Sequence, residues 1–146
     1  MFGTQNLALL VGAAALVGVG MTQAGASRTV WDGVFTTTQA ERGRTEYDIW
    51  CASCHQSDLS GGVLVGDDEA PALRSVEKLI ERRDLENAMT FIKNGMPRDE
   101  PGSLKDETYV DILTYLLQEN GFPAGKSELE MDAAALKAIA IVRKPS

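Results

Sequence analysis

The sequence predicts an all-α domain of three to four short helices joined by long loops. Apolar residues recur at helical spacing in separate segments, those segments open on capping residues, and no repeat or strand-rich region appears. With 146 residues, 44% of them hydrophobic and 24% charged, the chain has room for one domain and little more.

The first stretch stands apart from that domain. Residues 1–26 resemble an export signal, with an apolar run from Leu7 to Val19 and the small triplet Ala24, Gly25, Ala26 as a cleavage point. The run is shorter than the roughly 20 residues a helix needs to cross a bilayer, so a cleaved signal is expected over an anchor. Residues 27–121 then form the domain and 122–146 a C-terminal extension, packed on the domain or on a partner. Every Lys, Arg, Asp and Glu lies beyond Ala26, so the exported part keeps the formal charge of −7. That balance excludes a nucleic-acid surface, which needs clustered positive charge.

The first helix is expected from Thr38 as N-cap, with Glu41 completing a capping box, to about Trp50. Gly43, Tyr47 and Trp50 share one face, and a glycine on that stripe marks a close approach by another helix. Residues 56–74 read as a long loop, and Val76 onward as a short helix. Asp84 caps a stronger helix whose stripe is Leu85, Ala88, Met89 and Ile92, with Gly95 as its C′ residue. A turned loop with two prolines follows. Asp106 opens the last strong helix, with Tyr109, Ile112, Leu113, Leu116 and Leu117 on a wide apolar face and Gly121 as terminator. These short helices promise a poor core without something further to pack around.

Residues 50–56, WCASCHQ, hold the chain's two cysteines and its one histidine. A structural zinc site needs four ligands, and Cys51, Cys54 and His55 supply three. A thioredoxin-type thiol pair belongs after a strand in a βαβ unit, whereas this pair follows a helix. A plain structural disulfide leaves the histidine unexplained. Covalent heme c accounts for all three residues: two thiols for two vinyl groups, and His55 beneath the iron. A flat apolar cofactor would also complete the poor core.

The opposite face of that iron has Met89, Met96, Met131, water or a lysine as candidates. Met89 sits on a helix stripe and reads as core filling, and Met131 as surface cover. Met96 stands between Gly95 and Pro97, in a loop with a restrained backbone, and is the preferred axial ligand with His55. Pro71 offers a backbone carbonyl to orient the His55 ring. Trp50, Tyr109, Tyr115 and Arg74 are candidate partners for heme propionates.

The CASCH stretch, the Gly43/Tyr47 helix, GMP at 95–97 and DILTYL at 111–116 together resemble the monoheme class I cytochromes c. The resemblance implies a cytochrome c-like fold in which Gly43 and Tyr47 of the first helix meet Ile112 and Tyr115 of the last. It also implies thioether attachment at Cys51 and Cys54, axial ligation by His55 and Met96, and support of His55 by Pro71. VWDGVF, TTTQAERG, PGSL and LLQENGFPAG resemble a bacterial periplasmic subgroup associated with quinoprotein or oxidase electron-transfer chains.

The expected function is therefore a periplasmic one-electron carrier, not an enzyme, exchanging electrons with a redox protein donor and acceptor. Candidate partners are a quinoprotein dehydrogenase, a cytochrome complex or a terminal oxidase, with peripheral or no membrane contact. The alternative is a subunit held tightly by a quinoprotein dehydrogenase or oxidase complex, its tail covering the partner. A heme enzyme with an open iron site fits poorly, because no second histidine could serve as its distal acid or base.

Overall fold

The computed structural model describes residues 28–63 and 69–145. The export signal expected over residues 1–26 lies outside the described residues. The fold is all-α in its framework: α1 (Thr37–Trp50), α2 (Ala52–His55), α3 (Val76–Ile80), α4 (Leu85–Gly95), α5 (Asp106–Glu119) and α6 (Ala133–Lys137). Four two-residue strands that the periodicity did not predict tie loops together: β1 (Arg28–Thr29), β2 (Gly62–Val63), β3 (Glu69–Ala70) and β4 (Ile139–Ala140).

Helix α1 starts earlier than expected. Thr36, not Thr38, is the N-cap, and its hydroxyl accepts from the Gln39 N–H at 3.1 Å. Three consecutive threonines offer three caps of equal chemistry. The choice falls on the one that leaves Gln39, Ala40, Gly43 and Tyr47 buried along one face.

That face packs on α5, the most deeply buried helix, in which every residue from Tyr109 to Leu117 is buried. The two backbones touch at Gly43, where an added Cβ would lie 1.8 Å from the Asp111 carbonyl oxygen. One turn further on, the Tyr47 and Tyr115 rings pack at 5.2 Å between centroids, tilted by 53°.

Helix α4 is capped as expected, the Asp84 carboxylate accepting from the Asn87 N–H at 2.9 Å. Its end differs from expectation. Gly95 is the last helical residue rather than a left-handed C′, and Met96 closes the helix in an extended conformation (φ −135°, ψ 150°). The reason is Pro97, whose ring disfavours helical geometry at the residue before it. Gly121 does end α5 in the left-handed region, with φ +84°.

The expected shortage of core is not found. Val30, Val34 and Phe35 from the N-terminal segment, Leu85 and Met89 from α4, Leu113 and Leu117 from α5, and Phe122, Leu129, Leu136, Ile139 and Ile141 from the C-terminal residues join one buried cluster. Tyr47, Leu59, Ile112, Tyr115 and Leu116 form a second beside α2. Much of this apolar surface sits in irregular stretches, where no helical stripe advertises it. Fully burying each such side chain contributes about 1.5–3 kcal/mol.

Residues 122–145 are built into the domain by polar contacts as well. Gln39, 1% exposed, donates from Nε2 to the Leu129 carbonyl and accepts from the Leu129 N–H, both at 2.8 Å. Arg42 bridges Asp111 on α5 and Glu128, with Nε to Asp111 Oδ2 at 2.9 Å and Nη1 to Glu128 Oε1 at 2.8 Å. The Trp31 indole donates to the Val142 carbonyl at 2.8 Å, and its ring packs on Phe122. β4 runs parallel to β1, Arg28 facing Ile139 and Thr29 facing Ala140.

Asp84 joins α4 to this C-terminal layer, since Lys137 of α6 donates to its Oδ2 at 2.8 Å. Burial pushes the carboxyl pKa up, but the hydrogen bonds from Lys137 and from Asn87 outweigh it and hold the group below its ordinary value. A carboxylate with a depressed folded pKa stabilises the fold above its unfolded pKa, near 3.9, and that contribution disappears as pH falls through the folded value. Urea midpoints of the native chain and Asp84→Asn are therefore expected to differ at pH 7 and to converge in acid. A gap that stays constant down to pH 2 would count against the pair.

Candidate functional site

The site is the sharp turn between α1 and the loop that returns to it. Cys51 closes α1, its N–H donating to the Tyr47 carbonyl at 2.8 Å, and immediately opens α2. The N–H groups of Cys54 and His55 both donate back to the Cys51 carbonyl, at 3.1 and 2.9 Å. This one-turn helix fixes the two thiols and the imidazole on a short, rigid segment.

Two contacts hold the segment from outside. The Tyr47 hydroxyl donates to the Gln56 carbonyl at 2.7 Å, just where Gln56 takes a positive φ of 61° and redirects the chain. The Gly61 N–H donates to the His55 carbonyl at 3.0 Å, leading into the antiparallel pair β2–β3. Tyr47 was expected only as packing against Tyr115. Its second role as a clamp has no sequence signal beyond lying one helical turn before Cys51.

His55 is 6% exposed, and its Nδ1 lies 2.9 Å from the Pro71 carbonyl. A carbonyl oxygen can only accept, so Nδ1 carries the proton and a neutral ring has its lone pair on Nε2. Pro71 stands where the sequence placed an acceptor for His55. Beyond it, the Leu73 N–H donates to Leu59, and Asn120 donates from Nδ2 to the Leu73 and Leu116 carbonyls at 3.0 and 2.8 Å. Asn120 thus ties the Pro71 segment to the end of α5, a role the sequence did not suggest.

Cys51 and Cys54 are partly buried and not disulfide-bonded. Burial, helped by the neighbouring Cys54, pushes the Cys51 thiol up to about 11, which suppresses thiolate at neutral pH. Met96 lies across the loop from α4 to α5, with its N–H donating to Ile92 at 2.8 Å and its carbonyl accepting from the Tyr109 hydroxyl at 2.7 Å. Met89 is core, 2% exposed.

The residues considered for propionates are otherwise engaged. Arg74 pairs with Glu119, the Trp50 indole donates to Glu46 at 3.1 Å, and Tyr109 holds Met96. Tyr115 packs on Tyr47. Arg74 and Tyr109 find partners distant in sequence, Trp50 finds one a single helical turn away, and Tyr115 meets the ring expected of it.

Residues 38–116 match the family model described as Cytochrome C oxidase, cbb3-type, subunit III. The chain belongs to this cbb3-type oxidase subunit III family. No curated protein and no solved structure gave a match. Membership corrects two expectations. The assignment to the stand-alone monoheme class I cytochromes c gives way to the subunit III family, and the freely diffusing carrier gives way to the alternative, a component of an oxidase complex.

The covalently attached heme c is corrected with them. It was required in part to fill a deficient core, and the two clusters of buried side chains fill it. Among the described residues no group of three or more His, Cys, Asp and Glu side chains comes together that could hold a metal ion. Among the described residues no helix is long and apolar enough to cross a membrane.

Proposed function

We propose that this chain is a non-catalytic subunit of a cbb3-type oxidase assembly, held on its periplasmic side. The match over residues 38–116 supports this reading most directly, because it spans α1, the Cys51–His55 turn, α4 and nearly all of α5. Ile49 and Trp50, 61% and 46% exposed at the end of α1, form the contact with the neighbouring subunit. Large apolar side chains on a surface favour a protein interface, and tryptophan is enriched among residues that dominate binding energy.

Cys51, Cys54 and His55 follow directly after this helix end. With Pro71 orienting the ring and Met96 held by Tyr109, Cys51, Cys54, His55, Pro71 and Met96 form the subunit's proposed site. The Pro71 contact sets the orientation and tautomer of the ring.

Affinity-tagged full-length chain, recovered from the membranes of its own cells, is expected to migrate on native gels with oxygen-consuming activity. The double substitution Ile49→Ser, Trp50→Ser is expected to weaken that association at least tenfold, consistent with roughly 2 kcal/mol for one buried aromatic anchor. Recovery of the unsubstituted chain only as a lone monomer would remove the basis for the proposal.

A further inference from the structure

A second recess lies away from the Cys51–His55 turn. A cavity of about 690 Å³ opens to solvent between the end of α3 and the outer face of α4, lined among others by Glu81, Arg82, Arg83, Thr90, Phe91 and Asn94. In a chain of net charge −7 it concentrates two adjacent guanidinium groups against one carboxylate. Neither arginine is in an ion pair among the described residues, whereas Arg42, Arg74 and Arg143 each have a carboxylate partner.

The arrangement is ordered rather than loose. Arg83 takes a left-handed φ of 72° between α3 and α4, and its carbonyl accepts from the Ile141 N–H at 2.7 Å, which anchors the turn. The Arg82 guanidinium carbon lies 3.5 Å over the Phe91 ring. Stacking of this kind leaves the edge of the planar fork free to donate, and two such forks match the oxygens of a phosphate group. Phe91 is itself 51% exposed at the rim, leaving much of its apolar surface in water despite the Arg82 stack.

We propose that this cavity binds the phosphate group of an anionic lipid headgroup, with Arg82 and Arg83 on the phosphate oxygens and Phe91 at the boundary between headgroups and acyl chains. A free phosphate ion would satisfy the guanidiniums equally well but leave the aromatic rim without a role. Juxtaposed arginine and aromatic side chains are the combination that seats a peripheral protein at a membrane interface. The site is independent of the oxidase reading, since it is lined by residues of α4 and the turn before it and uses none of the thiol turn's residues.

The test is flotation of the full chain with vesicles of phosphatidylcholine alone or with phosphatidylglycerol added, at low and high salt. Binding is expected only to the anionic vesicles and to weaken with salt. Arg82→Gln with Arg83→Gln is expected to lower it roughly thirtyfold, about fivefold for each interfacial cation. Glu81→Gln, which removes the opposing carboxylate, is expected to strengthen binding, and Phe91→Ser to weaken it without altering the thermal transition. Equal binding by the double-arginine variant would place any membrane contact elsewhere and overturn the proposal. So would perturbation of the Asn94 amide resonance by inorganic phosphate without vesicle binding, which would leave a soluble-anion site.

Discussion

Gly43→Ala is expected to destabilise the fold by about 3 kcal/mol or more, and Gly43→Val to prevent it from forming. The cause is contact between two main chains: the added carbon would stand 1.8 Å from the Asp111 carbonyl oxygen, and backbone cannot rotate away as a side chain can. Relief requires α1 and α5 to separate, which loosens Tyr47 against Tyr115 and breaks the fit around Leu113. Overpacking of a core ordinarily costs about 1–3 kcal/mol, and a rigid neighbour puts this site at the upper end or beyond. Alanine would otherwise favour a helix over glycine by about 1 kcal/mol, so propensity and packing predict opposite signs. Urea unfolding decides between them, and an unchanged or raised midpoint would mean that the helices do not approach as described.

Gln39→Leu should be the second most damaging substitution, at about 2–6 kcal/mol for two orphaned groups. Leucine has similar bulk and belongs in a core, so an account based on hydrophobicity alone predicts little loss. The structure predicts otherwise, because the Gln39 amide satisfies both the N–H and the carbonyl of Leu129, each at 2.8 Å in a buried setting. Leaving such groups without partners costs about 1–3 kcal/mol each. The loss should be local: amide exchange is expected to accelerate first from residue 129 to 141, with α5 still protected. Gln39→Glu, which retains one acceptor but no amide donor, should be intermediate at neutral pH or worse if the charge stays buried. Uniform exchange across the chain would contradict this view of the C-terminal layer.

Much of the helical framework was legible from spacing. The stripes of α4 and α5, the Asp84 cap, the terminating Gly121 and the close approach at Gly43 follow from local chemistry and appear in the structure. The His55 contact with Pro71 was also anticipated, because an oriented imidazole needs an acceptor and the intervening loop had few restrained carbonyls.

What was not legible depends on contacts between distant residues. Thr36 and Thr38 have the same capping chemistry, and only burial of Gln39 chooses between them. Arg74 reaches Glu119 and Arg42 reaches Glu128 through pairings that no periodicity encodes. The core was underestimated because Val30, Phe35, Leu129 and Ile141 lie in irregular stretches, where apolar residues have no stripe to join. That error had a consequence: it made an added cofactor look structurally necessary. The thiol turn was read against a deficiency that the N-terminal segment and residues 122–141 remove.

The parallel pairing of Arg28 with Ile139 closes a circuit around nearly the whole described chain. Closing so large a loop carries an entropic penalty that contacts made earlier along the chain must already have reduced. The β1–β4 seam is therefore expected to form last and open first. It acts as a fastener whose release frees the flanking segments together while α1 and α5 remain joined.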